Sequence, residues 1–466
     1  MTEEHNSRRG HKGVNRRQVL QGMAVAGGVT GMLGATGTVH AQPDWEEILR
    51  NLTGDCVVND WPTATENRLN LAVDEPEEEG EFPQDGNLAL YVHGFGGEDA
   101  AAGFNGARQA RALELAFREQ QVEIPVVAGM WGSLVPPIEP ELTGKRLATW
   151  LDANANNYDS LFVFGHSLGG LVTVEALAEL DANESDARIT SAGLLAAAVP
   201  PEAVCTEYKA GIETIVEADV YNYHSEQDIV VCDLADPGIG IQGTGCSGTT
   251  CTALPENYVD IDLTPRVGGH CNLFKPESMS YAGESAVSDI VDNQLAEELG
   301  LSRGTVMGTV TIDEGEGETD ELPDELMVAF VDAEGTIVRR GLTAEQAFSV
   351  TLPEGSYTVR DDDPVLTGEP ESGTIEADTT TELNLTVRAL PAVTANPPQD
   401  LNRDGRYRDV NGDGEFTIAD VQALFENLDS DAVQDSAAFY NFSGTTESRV
   451  TVFDVQALFT ELRTQE

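Results

Sequence analysis

The chain has 466 residues, of which 40% are hydrophobic, enough to fill more than one domain core. Against 26 Lys and Arg stand 81 Asp and Glu, a net charge of −55 that repels nucleic acid and anionic membrane surfaces. Periodic apolar runs exclude the wholesale disorder that so acidic a composition would otherwise suggest.

The first feature in chain order is an address. Asn15-Arg16-Arg17-Gln18-Val19-Leu20-Gln21 precedes an apolar, Gly/Ala-rich run over 23–39, and Val39-His40-Ala41 offers small residues for cleavage. This resembles a twin-arginine export signal, which implies removal of residues 1–41, folding before export, and a secreted or cell-surface protein. The run is short and glycine-rich for a bilayer span, no cysteine stands near the cleavage site, and no later segment is long and apolar enough to cross a membrane. The only lysines are Lys12, Lys145, Lys209 and Lys275. Together with the acid excess this resembles proteins of extreme halophiles. Molar salt shortens the Debye length to about 3 Å and screens the self-repulsion, so loss of structure at low salt is expected. Six cysteines, all beyond the signal, read as disulfides in an exported chain. Cys246 with Cys251, Cys232 with Cys271, and Cys56 with Cys205 are the expected pairs. No Cys-x-x-Cys favours zinc. Asn51, Asn183, Asn384 and Asn441 open Asn-x-Ser/Thr sequons.

Residues 44–300 alternate apolar strand-like runs (88–92, 126–130, 161–164, 189–197, 220–223, 258–263) with helical patterns (107–117, 142–153, 171–180, 286–299). That alternation predicts an α/β fold, a parallel sheet with helices on both faces. The acidic stretch 74–81 reads as a solvated loop. Within this region Phe162-Val163-Phe164 runs into Gly165-His166-Ser167-Leu168-Gly169, and a helical pattern follows. A strand turning sharply into a helix lifts a serine to the tip of a sheet, and glycines on either side let the two elements crowd together. Ser167 is therefore the candidate nucleophile.

A serine nucleophile needs a base and an acid. After signal removal four histidines remain: His93, His166, His224 and His270. His166 adjoins Ser167 and points the wrong way to be its base. His93 opens His93-Gly94-Phe95-Gly96-Gly97 after a strand, as an oxyanion loop would. His224 ends a strand ahead of the best acid, so packing suits it better. His270, in Gly268-Gly269-His270-Cys271-Asn272 after the strand 258–263, remains as base. Asp228 follows the strand 220–223 and is the expected acid, ahead of Glu226, Asp233 and Asp260. The order Ser, Asp, His, with an oxyanion loop upstream, resembles the α/β-hydrolases of the lipase/esterase type over residues 44–300. The resemblance implies an acyl-enzyme mechanism on carboxylic esters, with ester or lipid substrates and backbone N–H groups of Phe95 and Leu168 as oxyanion donors. No cofactor is implied for catalysis. A serine peptidase or amidase on the same fold and a non-catalytic surface or scaffold protein are the alternatives. Trp131, after the strand 126–130, is either core or substrate wall.

From 304 the apolar period changes to two, over 305–312, 326–331, 348–352, 357–360 and 382–387, with Pro/Gly/Asp turns between. This predicts a small β-sandwich over 304–390, and Phe348-Ser349-Val350-Thr351-Leu352-Pro353-Glu354-Gly355-Ser356-Tyr357 resembles transthyretin-like or carboxypeptidase-regulatory-like accessory domains. Residues 391–398 read as a Pro/Ala linker. In 399–466, Thr417-Ile418-Ala419-Asp420-Val421-Gln422-Ala423-Leu424-Phe425 recurs 34 residues later as Thr451-Val452-Phe453-Asp454-Val455-Gln456-Ala457-Leu458-Phe459. Ahead of the first copy, Asp409, Asn411, Asp413, the Glu415 carbonyl and Asp420 fall at the spacing of a calcium loop, with Gly414 at its turn. A calcium loop with one helix, repeated, resembles a type I dockerin, an EF-hand-like α-helical module. This implies structural calcium and a cohesin-like protein partner. The second loop aligns through Asn441, Ser443 and Thr445 only with a two-residue insertion, and Asp400, Asn402 and Asp404 form a separate cluster upstream that would supply a second ion.

Overall fold

The computed structural model describes residues 62–94, 105–132, 139–233, 243–264, 266–279, 285–312, 326–343, 346–362, 366–401, 406–443 and 449–465. The segment expected to be an export signal, and Cys56, Phe95, Asn402, Asp404 and Thr445, lie outside them. The chain divides into two compact units, one reaching to Pro276 and taking in Glu284–Leu299, the other taking in Glu277–Gly283 and Gly300–Glu466.

The first unit is built on an eight-stranded sheet. Its strands are β1 (Arg68–Asn70), β2 (Glu77–Glu79), β3 (Asn87–Val92), β4 (Val126–Met130), β5 (Ser160–His166), β6 (Ser191–Leu195), β7 (Val220–His224) and β8 (Tyr258–Asp262), in the order β2-β1-β4-β3-β5-β6-β7-β8. All neighbours are parallel except β1 with β2. Helices α1 (Gly106–Glu119), α2 (Pro140–Asn154), α3 (Leu168–Ala182) and α4 (Lys209–Ile215) connect the strands. A parallel sheet covered on both faces requires strands that are apolar on both sides. β5 meets that requirement: six of its seven residues, Leu161 through His166, are buried. Leu88, Leu90, Val163, Val172, Leu177, Leu194 and Val220 share one core cluster. Each fully buried side chain of this kind contributes about 1.5–3 kcal/mol relative to exposure.

The chain passes from β3 out to β4 and then returns to β5 on the other side of β3. The strand order therefore reverses between β3 and β5. In open parallel sheets the crevice at the carboxyl ends of such a pair is where ligands bind.

Two sequence expectations change here. The stretch 74–81 holds β2, whose three glutamates are exposed at the sheet edge, where charge blocks edge-to-edge pairing. Glu78 also accepts a hydrogen bond from Trp150 Nε1 at 2.9 Å. The helix expected over 286–299 is an α-turn, Val287–Ile290, running into a π-turn, Val291–Leu295, which brings buried Gln294 against β6 and β7.

The second unit holds β9 (Arg303–Ile312), β10 (Met327–Val331), β11 (Ile337–Leu342), β12 (Ala347–Pro353), β13 (Gly355–Asp361), β14 (Leu366–Glu369), β15 (Glu371–Ile375), β16 (Thr380–Glu382) and β17 (Leu385–Ala389). They form a sheet β11-β10-β13-β15 and a sheet β12-β9-β17-β14, with β16 paired to β9. Val306, Val310, Val328, Phe330, Phe348, Leu352, Tyr357, Val359 and Leu385 form one cluster, drawn from both sheets. Helices α5 (Ile418–Glu426) and α6 (Val452–Gln465) follow, and they pack around a separate cluster that includes Leu424, Tyr440 and Leu458. Val393, inside the expected linker, is buried in that cluster. Among the described residues no helix is long and apolar enough to cross a membrane.

Candidate active site

Ser167 sits between the end of β5 and the start of α3 with φ 55° and ψ −121°. Left-handed backbone at a non-glycine residue costs about 1–3 kcal/mol and persists only where the surroundings impose it. Here they do. The Ser167 N–H donates to the Leu195 carbonyl at 3.0 Å, and its carbonyl accepts from the Gly170 and Ala198 N–H groups, both at 3.0 Å. The flanking glycines are forced by space. A Cβ on Gly169 would lie 2.1 Å from the Val92 carbonyl oxygen, and one on Gly165 would lie 2.5 Å from Thr173 Oγ1. Across from the elbow, a Cβ on Gly94 would lie 2.7 Å from the Ser167 Cβ. The segment after β3 thus presses against the serine, at the reversal point of the sheet. Leu168 is the first helical residue, so its N–H has no intrahelical acceptor, and among the described residues it has no other.

The candidate acid and base, Asp228 and His270, lie beyond β7 and β8 on the same rim. His270 Nδ1 is 2.7 Å from Asp228 Oδ2, with both side chains almost fully buried. A carboxylate can only accept, so Nδ1 carries the proton and Nε2 is left as the basic nitrogen. The other Asp228 oxygen accepts from the Val230 N–H at 3.0 Å, fixing the carboxylate plane. Two of the competing acids do other things, and the Asp233 side chain lies outside those described. Glu226 is exposed. Asp260 is bound to Asn222 Nδ2 at 2.8 Å and to Thr249 Oγ1 at 2.6 Å. Ser167 makes no side-chain hydrogen bond among the described residues, so the candidate nucleophile and candidate base share the rim without a direct bond.

Backbone contacts tie the parts together. Ala198 holds Ser167, the Gly245 N–H donates to the Ala197 carbonyl at 2.9 Å, and the Ser225 N–H donates to the Gly245 carbonyl at 3.0 Å. The Asp228 N–H then donates to the Ser225 carbonyl at 3.1 Å. The turn Thr244–Ser247 is wedged against residues 196–198, with a Gly245 Cβ position only 2.2 Å from the Ala196 carbonyl carbon.

That wedge overturns the expected disulfides. It places Cys246 beside Cys232 and sends Cys251 to Cys205, and these are the bonded pairs, with Cα separations of 4.9 and 6.4 Å. Cys246–Cys251, Cys232–Cys271 and Cys56–Cys205 do not form. Cys271 is also disulfide-bonded, to a partner outside the described residues. The acid and histidine loops are joined by hydrogen bonds instead. Ser225 Oγ donates to the Val267 carbonyl, the Glu226 N–H to Thr264 Oγ1 at 3.0 Å, and Gln227 Nε2 to the Thr264 carbonyl at 2.7 Å.

His93 and Trp131 brace the end of β3. The Trp131 N–H donates to His93 Nε2 at 3.1 Å, so the proton sits on Nδ1, which reaches the Gly94 carbonyl at 2.7 Å. Trp131 Nε1 donates to the His93 carbonyl at 2.8 Å, and its ring is fully buried. Trp131 is therefore core. His224 is buried at the end of β7 with no hydrogen-bond partner for its Nδ1. Sequence reasoning set His166 aside. The structure seats its ring 4.6 Å from the His270 ring, with Nε2 2.9 Å from the His270 carbonyl oxygen. Scarcity of histidine beside a serine elbow was the one signal available for it.

In the second unit Asp409 is fully buried and accepts from the N–H groups of Gly412, Asp413 and Gly414. Gly412 and Gly414 take φ of 71° and 87°, wrapping the loop. Asn411 Oδ1 accepts from the Asp413 N–H, and Asp413 Oδ1 from the Glu415 N–H. Asp420 is also fully buried, and its oxygens accept from the N–H groups of Asn411 and Thr417. Burial, with the Asp420 charge adding to it, raises the Asp409 pKa despite those N–H donors. The buried Asp409 carboxylate resists ionisation, and a hard cation at this loop would relieve that cost. Among the described residues, however, no three His, Cys, Asp or Glu side chains already converge as metal ligands.

The second loop repeats the design with a hydroxyl. Asp454 accepts from the N–H and Oγ of Ser443, and from those of Thr451. Ser443 thus stands where Asn411 does, at a separation of 11 residues rather than 9, which is the two-residue insertion. Burial opposes ionisation of Asp454, but these four donors outweigh it and lower its pKa. Asp400 is buried and lines a cavity of about 140 Å³ with Asp361, Asp362, Tyr407 and Phe439.

No family model matches the chain, and no curated protein matches its sequence. Among solved structures it is similar to a lipase-esterase related protein from Clostridium acetobutylicum, at 11% identity and a TM-score of 0.25, covering 40% of this chain and 88% of that one. It is also similar to GBS52, the minor pilin of Streptococcus agalactiae, at 13% identity and a TM-score of 0.16, covering 20% of this chain and 46% of the pilin. A putative carbohydrate binding protein from Pseudomonas aeruginosa is matched at 12% identity and a TM-score of 0.16, covering 18% of this chain and 89% of that one. The chain thus spans less than half of the pilin's length. At TM-scores this low, none of these likenesses bears on function.

Proposed function

We propose that the protein is an exported serine hydrolase of the α/β-hydrolase type that cleaves carboxylic esters and is tethered by a calcium-binding, dockerin-like module. One observation carries the reading. A serine held in left-handed backbone at the reversal point of a parallel sheet shares the rim of that sheet with a buried Asp228–His270 pair.

The chemistry follows from these groups. Ser167 Oγ bonds to the ester carbonyl carbon as its proton passes to His270 Nε2. Asp228 holds the tautomer and stabilises the imidazolium. The carbonyl oxygen gains the charge, and the free Leu168 N–H at the head of α3 is one donor for it, with the Phe95 N–H assigned as the second. Each such donor is worth about 2.7–4 kcal/mol in comparable sites. The C–O bond to the alcohol then breaks, the alcohol leaving with the proton from His270. Water, deprotonated by the same nitrogen, releases the acid and restores Ser167.

Asp409, Asn411, Asp413, Asp420 and the Glu415 carbonyl would hold calcium, whose role is to neutralise the buried carboxylates and fix the loop. Asp400 is assigned to a second ion with Asn402 and Asp404. On the repeated helices, Ile418, Phe425, Val452 and Phe453 are more than half exposed. Apolar side chains left outside in so acidic a chain are what a protein-docking module presents, and a cohesin-like partner would cover them. The acidic surface and the disulfides suit an oxidising, saline exterior.

The test is hydrolysis of p-nitrophenyl esters in molar salt by wild type and Ser167→Ala, with p-nitroanilides in parallel. The reading expects a loss of roughly 10³-fold or more for the variant. Equal rates would remove the enzyme reading, and a preference for the anilides would make it an amidase.

A further inference from the structure

His270 is held by two hydrogen bonds among the described residues. Its Nδ1 reaches Asp228, and its carbonyl oxygen lies 2.9 Å from His166 Nε2. The loop around it is anchored through its neighbours, since the Asn272 N–H donates to the Gly269 carbonyl at 3.2 Å and Cys271 is disulfide-bonded. Among the described residues, the one hydrogen bond to the main chain of His270 itself thus comes from a side chain, that of the residue covalently next to Ser167.

That side chain is itself immobilised. The His166 ring is 97% buried, lies edge-on to Phe274 at 4.9 Å, and runs nearly parallel to Tyr91 at 6.5 Å. Tyr91 is pinned by its hydroxyl to Gln109 Oε1 on α1 at 3.1 Å. A carbonyl accepts only from N–H, so Nε2 carries the His166 proton and Nδ1 is bare, buried and without a partner. Protonating Nδ1 would leave an N–H in an apolar wall. Burial, followed by the His270 charge, accordingly drives the His166 pKa well below its ordinary value, so the ring stays neutral and remains a donor at one position.

We propose that His166 is a positioning residue that sets the His270 imidazole relative to Ser167, through the hydrogen bond from its Nε2 to the His270 carbonyl. This rests on the serine-hydrolase reading above. Ser167 is locked to β5 and β6 by its own backbone bonds, so a donor one residue earlier on the same strand measures the base directly from the nucleophile. Without it, the Asp228 bond is the one hydrogen bond left on His270 itself among the described residues, and a single bond to a ring nitrogen sets the imidazole less closely than two. Displacement of a catalytic group by about 1 Å costs on the order of 10²-fold in rate.

The experiment measures kcat and KM for p-nitrophenyl ester hydrolysis in molar salt, with melting temperatures, for wild type, His166→Phe, His166→Gln and Ser167→Ala. Phe fills the aromatic cage without a donor, whereas Gln keeps an N–H near the Nε2 position. The expected result is a kcat reduced roughly 10- to 100-fold in His166→Phe with KM unchanged within about 2-fold, and at least half of that loss recovered in His166→Gln. If the Phe variant does not fold, His166→Met takes its place as the donor-less arm. Wild-type kcat in the donor-less variant, or a Gln variant no better than it, overturns the proposal while an inactive Ser167→Ala leaves the hydrolase reading standing. Wild-type activity in Ser167→Ala overturns both.

Discussion

The elbow at Ser167 and the loop at Gly414 are both tight turns that lead into a helix through positive φ, and they distribute glycine in opposite ways. At the elbow the strained position, φ 55°, is given to a serine, while the glycines around it occupy places where any Cβ would meet backbone at under 3 Å. At Gly414 in the Asp409 loop the glycine itself takes the positive φ of 87°, and a Cβ there would touch nothing within 4 Å, whereas Gly412 combines a φ of 71° with a Cβ position 2.2 Å from the Pro397 carbonyl oxygen. In the loop, glycine relieves a conformation that serves only to wrap oxygens. In the elbow, glycine supplies room, and the strain is kept by the residue with the hydroxyl. A non-glycine residue kept where glycine would be cheaper is what the proposed role of Ser167 as nucleophile calls for.

The predictions test that contrast in decreasing order of effect. Asp228→Asn should lower kcat by roughly 10³- to 10⁴-fold with the fold intact, because an amide stabilises the wrong His270 tautomer. Steady-state ester hydrolysis with circular dichroism checks it, and a loss under 10-fold would move the acid elsewhere. Gly169→Ala should destabilise the first unit by about 3 kcal/mol, since its Cβ must displace the Val92 carbonyl. Gly414→Ala should cost only about 1 kcal/mol, from backbone strain alone. Chemical denaturation of the two variants side by side would break the comparison if their costs came out equal or reversed.

Between these lies the cation. Calcium at 100 times its dissociation constant should stabilise the second unit by about 2.7 kcal/mol, and Asp409→Ala should abolish that increment. Calorimetry of the full chain with calcium and with chelator reads it directly. A smaller effect concerns pH. Because the folded pKa of His166 lies below that of the unfolded chain, the unfolded state binds the extra proton, and stability must fall as pH falls below about 6.5. The slope from this one group reaches at most about 1.4 kcal/mol per pH unit. His270, His93 and Tyr91 are the titratable groups near the ring, and all three remain in His166→Phe, so the difference between the two stability–pH curves isolates His166. Parallel curves would contradict the burial argument.

The sheet and elbow were legible in the sequence because they rest on local patterns: a fully apolar strand, glycines two residues either side of a serine, and an acid and a histidine directly after strands. What was not legible depends on distant segments meeting. The cysteine pairs were misassigned because the turn Thr244–Ser247 folds back against residues 196–198, which no spacing announces. β11 was missed because Arg339 and Arg340 interrupt its apolar pattern, and Arg340 is buried where Asp362 and the Glu277 carbonyl meet it. β14, β15 and β16 are short and borrow their order from strand pairing. Val393 reads as linker and is core, since its partners lie on the repeated helices and the loops between them. The placement of His166 against His270 joins residues 104 positions apart.

The most direct test of the central claim is covalent. A p-nitrophenyl phosphonate ester, incubated with the protein in molar salt, offers phosphorus to an activated hydroxyl, which bonds to it as p-nitrophenolate leaves. The account predicts one equivalent of p-nitrophenolate per chain, parallel loss of ester hydrolysis, and a single adduct mapped by mass spectrometry to Ser167. An adduct on another residue, or none at all while esters are still hydrolysed, would contradict it.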